Sequence, residues 1–225
     1  MDIPLQDLLS RNRFFSLMDS ALLEDASKLA LKRSWPRNSF LSHYGDNWPY
    51  LFLVSKGQID GVKESPEGRQ LIVLSFKPGD LFWGLSFFTD DVVNPVALYA
   101  RQNSKLYLWS RDNLLPLLLQ SPQALWTLCQ LMIQRMQMAS QIVEGLAFQP
   151  VQARLARFLA GQFATTGERS IHRSLTLDEI AASIGTTREQ ACRALYQLAD
   201  QQVIDITRTE FTLTDKDGLN QIAGG

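Results

Sequence analysis

Cysteine and histidine are scarce in this chain, two of each in 225 residues. Cys129 and Cys192 are too few for a disulfide scaffold or for the four thiolates of an iron–sulfur cluster, and none stands near the N-terminus. His43 and His172 lie in distant segments, so the clustered histidines of a metal-dependent barrel enzyme or an axial haem pair are missing too. His43 is instead expected to support a turn. No Gly-rich phosphate loop or nucleophile motif occurs. Long apolar runs are also lacking: Leu114-Leu115-Pro116-Leu117-Leu118-Leu119 is short, broken by proline, and well under the roughly 20 residues that cross a bilayer. The opening MDIPLQDLLSRNRFF carries acids and no basic-then-apolar pattern, so export is not expected and the expected compartment is the cytoplasm. Charge of one sign is not in excess either, with 22 basic and 23 acidic side chains and a net charge of −1.

What is present is an ordinary apolar share, 45%, in a chain long enough for one large domain or two modest ones. The richest stretch runs from Leu175 to Leu213. Thr176-Leu177-Asp178-Glu179 has the form of a capping box, and Ile180, Ala181 and Ile184 supply the inward face of a helix that Gly185 ends. Thr187-Arg188-Glu189-Gln190 opens a second helix in the same way. Ala191, Leu195 and Leu198 recur at helical spacing, so Arg188, Glu189 and Arg193 point elsewhere. Arginine and glutamate at the start of a second helix are groups that read guanine and cytosine edges in the major groove. Residues 203–207 and 211–213 alternate as strands around Arg208, making a wing. The order helix, turn, helix, wing predicts a winged helix-turn-helix that binds double-stranded DNA. An ordinary surface pair, Arg188 with Glu189, is the competing reading.

Charge qualifies that expectation. Residues 149–225 carry eight Arg or Lys against nine Asp or Glu, whereas a domain held by phosphate attraction is normally basic. Binding would rest on local placement: Arg169, His172 and Arg173 before the motif, Arg188 and Arg193 on it, Arg208 in the wing. Weak non-specific affinity and a strong demand for the correct site are expected.

Upstream, residues 1–32 are expected to be helical, from Leu5, Leu8, Leu9 and then Leu22, Leu23, Ala26 and Leu29. From Trp35 the pattern turns to short strand-like segments, 40–41, 51–54, 58–62, 70–74, 96–99 and 105–109, punctuated by Gly45, Gly57, Gly68 and Pro78-Gly79. This spacing predicts an antiparallel sandwich or jelly roll. Residues 110–148 become helical again. Leu125, Leu128, Met132, Arg135, Ala139, Ile142 and Leu146 step by three and four, an a/d seam with one polar interruption. The seam either closes a homodimer or packs on its own barrel, and its length favours the dimer. Phe148-Gln149-Pro150 reads as a hinge.

Barrel, long helix, hinge and winged helix in this order resemble the Crp–Fnr family, the cyclic-AMP receptor protein and its relatives, over nearly the whole chain. The likeness rests on His43-Tyr44-Gly45-Asp46, Val54-Ser55-Lys56-Gly57, Glu67-Gly68, Pro78-Gly79-Asp80, Gly145-Leu146-Ala147-Phe148 and residues 187–193. It implies an α+β chain of three parts. They are an effector-sensing antiparallel jelly roll with N-terminal helices (1–120), a dimerisation helix (121–148) and a winged helix-turn-helix (149–225). It further implies a transcriptional regulator, not an enzyme, that works as a homodimer with RNA polymerase as a partner and no membrane. Carried over by motif, Arg188 and Arg193 meet guanines, Glu189 accepts from cytosine, and Thr187, Thr176, Arg173 and Arg208 complete the DNA-facing set.

The family's cyclic-nucleotide cassette has a Gly-Glu pair and, about ten residues on, Arg-Ser/Thr-Ala, whose acid and guanidinium hold ribose and phosphate. Here Trp83-Gly84 stands for the first and Asn94-Pro95 for the second, while Ala139-Ser140 replaces the Thr-Ser pair that meets adenine. Control by cyclic AMP is therefore not expected. The corresponding pocket would be lined by Trp83, Gly84, Leu85, Asn94, Pro95, Tyr99, Arg135 and Ser140. Phe82, Trp83, Phe87, Phe88, Tyr99 and Trp48 either surround an apolar effector or close the barrel core, and the core reading is favoured. The effector, if there is one, is not readable. The competing function is a ligand-binding regulatory module whose winged helix contacts protein rather than DNA.

Overall fold

The N-terminal segment expected to be one helical stretch breaks into α1 (Leu5–Arg11), a 3-10 turn (Phe15–Leu17) and α2 (Ser20–Leu29) in the computed structural model, which describes residues 5–224. Residues 1–4 of that expectation lie outside the described residues. Asp19 caps α2 by accepting the Leu22 backbone N–H at 2.8 Å. The helix does not reach Lys32, because Leu31–Trp35 is strand β1. That strand has no alternating buried face and pairs with one neighbour at a sheet edge, which leaves no periodic trace.

Seven more strands follow: β2 (Ser39–Ser42), β3 (Tyr50–Lys56), β4 (Ile59–Glu64), β5 (Gln70–Phe76), β6 (Leu81–Trp83), β7 (Ala97–Ala100) and β8 (Ser104–Ser110). They form two sheets, in the orders β1-β8-β3-β6 and β2-β7-β4-β5, with antiparallel neighbours. Phe82 stacks on Phe52 at 4.5 Å and on Phe76 at 4.2 Å in the barrel core. Trp109 is fully buried and its Nε1–H donates to the Ala26 carbonyl at 2.6 Å, pinning the end of α2 to the sheet.

The chain is divided into two compact units, one mostly of residues up to Met138, the other of Glu64–Ile72 and residues from Ala139 onward. The helical stretch from residue 110 is two helices, α3 (Arg111–Leu118) and α4 (Pro122–Phe148). On α4 the line expected from sequence as a seam is covered over its first part and exposed at Ala139 and Leu146. Leu128 is buried in the barrel core with Leu125 and Met132 packed against it, so this part of the line serves the chain's own core. The line exposed to solvent runs Trp126, Cys129, Ile133, Met136, Ser140, Val143 and Ala147. It too alternates three and four. Periodicity identified an apolar helix but could not say which of two adjacent lines the barrel would cover.

The second unit continues with α5 (Val151–Thr166), β9 (Ser170–His172), α6 (Leu177–Ile184), α7 (Arg188–Asp200), β10 (Ile204–Ile206), β11 (Glu210–Leu213) and α8 (Lys216–Gly224). The three strands pair in the order β10-β11-β9. Strand β9 and helix α8 had no distinct signal in the sequence. Ala191, Ala194, Leu195 and Leu198 of α7 join Leu155 and Leu159 of α5 and Ile180 and Ile184 of α6 in one core.

Candidate nucleic-acid interface and barrel pocket

Helix α6 begins with the full capping box. Thr176 Oγ1 accepts the Glu179 backbone N–H at 3.2 Å, and Glu179 Oε2 accepts the Thr176 backbone N–H at 2.7 Å. Gly185 ends the helix at φ +65°, and a Cβ there would lie 2.4 Å from Leu146 Cδ2, so glycine is required for both reasons. Helix α7 has half the expected box. Thr187 Oγ1 accepts the Gln190 N–H at 3.3 Å, but the Gln190 side chain takes the Thr186 hydroxyl at 2.5 Å instead of reaching back to Thr187.

Arg188, Glu189 and Arg193 are all exposed over the first turns of α7, opposite its buried alanines and leucines. Glu189 is held below the usual carboxylate range by its own backbone N–H and the Thr187 hydroxyl, with Arg188 adding to both, so it is an acceptor at neutral pH. Arg188 does not pair with Glu189. It lies 3.8 Å from Asp178, and both side chains are well exposed, a loose contact that a stronger anion or base edge can replace. Tyr196 continues the same face one turn on and is 63% exposed. Sequence reading passed over it, although its helical spacing from Arg188, Glu189 and Arg193 was the available signal.

Arg208 is exposed at the turn between β10 and β11. Arg173 is otherwise engaged: Nη1 donates to the Thr207 carbonyl at 2.8 Å and the guanidinium lies 5.1 Å from the Phe211 ring centre, which braces the wing. Thr176 is exposed but its hydroxyl is committed to the box.

Arg154, unremarked in the sequence, fastens this region. Its guanidinium donates to the carbonyls of Ile184 (2.8 Å), Gly185 (3.2 Å), Gln149 (2.7 Å) and Gly145 (3.4 Å). These are carbonyls at the C-terminal ends of α6 and α4, of which Gly145 also accepts the Gln149 N–H at 3.1 Å. Burial lowers its pKa, yet the guanidinium remains charged.

In the barrel a cavity of about 180 Å³ is lined by Trp83, Leu85, Asn94, Pro95 and Arg135 of the expected set, together with Leu74, Phe76, Phe82, Val96 and Leu98. Gly84, Tyr99 and Ser140 do not line it. Tyr99 faces outward, its hydroxyl donating to Asn38 Oδ1 at 2.9 Å, and Ser140 is exposed on α4. The two cassette positions are structural. A Cβ on Gly84 would stand 1.9 Å from the Trp48 carbonyl oxygen, so no side chain fits without moving main chain. Asn94 is buried, accepts the Leu85 N–H at 3.3 Å and donates to Ser42 Oγ at 3.1 Å. His43 does hold a turn, its backbone N–H donating to Asp46 Oδ2 at 2.7 Å. Among the described residues no three His, Cys, Asp or Glu side chains gather as a metal site, and no helix is long and apolar enough to cross a membrane.

Comparison with known proteins adds family context. The model of the cyclic nucleotide-binding domain matches residues 32–121, and that of the Crp-like helix-turn-helix domain matches residues 153–222. The chain is 27% identical over 174 residues to the "cAMP-activated global transcriptional regulator CRP" of Salmonella typhimurium, covering 76% of this chain and 83% of that protein. It is 22% identical over 227 residues to a "CRP-like cAMP-activated global transcriptional regulator" of Mycobacterium tuberculosis, covering 96% and 98%. In fold it is similar to the crystal structure of a crp/fnr-family transcriptional regulator from Eubacterium rectale, with a TM-score of 0.77 at 19% identity over 94% of this chain and 98% of that one. With both domain models matched in order and an exposed recognition helix on a braced wing, this chain belongs to the Crp–Fnr family of DNA-binding transcriptional regulators.

Proposed function

We propose that the protein acts as a homodimer reading an inverted repeat, with Arg188 and Arg193 on guanines, Glu189 on a cytosine amine, and control that does not use cyclic AMP. The observation that carries the DNA reading is the exposure of those three side chains together on the first turns of α7. Thr187 and Arg208 are assigned to the phosphates beside them. The half-site should resemble TGTGA, with halves roughly 34 Å apart, one turn of the duplex. RNA polymerase as a partner comes from the family likeness.

Dimerisation through residues 121–148 is supported by the exposed line from Trp126 to Ala147, which would be an unusual apolar stripe on a monomer. Cyclic-AMP independence is supported by Gly84, packed against Trp48, and Asn94, spent on Ser42 and Leu85: neither can hold ribose or phosphate. The barrel is then an effector site of altered chemistry.

Selection of binding sites from random DNA tests the central claim. A two-fold symmetric motif whose guanines weaken in Arg188 and Arg193 variants is expected. A motif without symmetry, or one indifferent to both substitutions, would mean that α7 does not read DNA in this way.

A further inference from the structure

The barrel cavity is apolar except at one point. Phe76, Phe82, Trp83 and Leu98 are among its lining, and Asn94, its one amide, has both polar atoms occupied. The remaining polar group is the guanidinium of Arg135, projecting from α4. It lies 5.0 Å from the Phe76 ring centre and its one polar contact is a weak one to Met138 Sδ at 3.6 Å. Asp80 is the acid whose field reaches it, from beyond ion-pair distance, and its carboxylate also accepts the Lys77 backbone N–H at 2.7 Å. Arg135 thus forms no ion pair among the described residues. A half-buried cation that rests on a ring face and has no ion pair within reach gains further from an anion that joins it.

Size narrows the choice. A cavity of about 180 Å³ is close to the ~150 Å³ space that admits a benzene ring, and below the ~300–1,000 Å³ of ordinary ligand pockets. One guanidinium balances one negative charge and pairs best with a planar carboxylate through two parallel hydrogen bonds.

We infer that the barrel binds a compact aromatic monocarboxylate, its ring against Phe76, Phe82 and Trp83 and its carboxylate on Arg135. This rests on the reading of the barrel as an effector site and names the chemical class it takes.

Calorimetry on the full-length protein with benzoate, phenylacetate, benzamide and benzyl alcohol tests it. One of the two acids should bind stoichiometrically, and at least about tenfold more tightly than the neutral pair. Arg135→Gln should remove that preference while leaving benzamide affinity unchanged. Equal affinity for acids and neutral compounds overturns the carboxylate class but leaves the barrel as a ligand site. No binding by any of the four overturns both. The wild-type comparison of acid with amide stands without the variant, so a misfolded Arg135→Gln would not spare the inference.

Discussion

Arg193 and Arg208 carry different kinds of information, and single substitutions separate them. Arg193→Ala should cost about 1–3 kcal/mol at the specific site and relax the preference at one guanine, read by competition gel shifts against single-base variants. Arg208→Ala, if Arg208 contacts phosphate as proposed, should weaken all sequences nearly equally and reduce the salt slope by about one. Arg154 belongs to another class. Replacing it by alanine leaves the carbonyls of Ile184, Gly185, Gln149 and Gly145 without a charged donor, so the second unit should lose about 1.5–3 kcal/mol by chemical denaturation. An unchanged denaturation midpoint would refute the clasp. The three base-reading candidates were legible because the helical period sets them against Ala191, Leu195 and Leu198. Arg154 was not, since its acceptors come from two separate helix ends.

At the scale of elements, α4 is the one on which the proposed dimer rests. Trp126, Ile133, Met136 and Val143 are each more than half exposed, whereas Leu128 is in the core. Ile133→Glu with Val143→Glu should therefore give monomers on sedimentation. A charge at Met132, which packs against the barrel core, would instead strain the chain's own packing. Cys129 lies on the exposed line and is itself exposed. In a parallel pair of α4 helices it would face its own counterpart, so mild oxidation should cross-link two chains into one disulfide-bonded species. A dimer that resists cross-linking and survives the Glu pair would place the contact elsewhere. The wing shows the same dependence on context. Its alternation gave β10 and β11 away, but β9 is three residues long and is recognisable by its pairing with β11.

For the molecule as a whole, the near-neutral charge and the altered cassette are what the proposed reliance on the correct site and independence of cyclic AMP rest on. Calorimetry with cyclic AMP should show no stoichiometric micromolar binding, and adding it should leave DNA affinity unchanged. A saturable isotherm would require Trp48 and Gly84 to separate and would overturn the reading of both cassette positions.

The sequence by itself determined the class of this protein. Periods of two and 3.6, turn glycines and capping threonines are local properties, and in this order they specify a barrel, a long helix and a winged helix-turn-helix. It also determined that the nucleotide cassette lacks its acid and its guanidinium. Tertiary structure alone decided which line of α4 is left to solvent. It decided too that Gly84 abuts a carbonyl 36 positions earlier in the chain. Both are long-range packing outcomes, set by which surfaces meet rather than by what any segment prefers. Arg135 shows the two together: its identity is in the sequence, but its place over the Phe76 ring at the cavity wall exists only in the folded barrel.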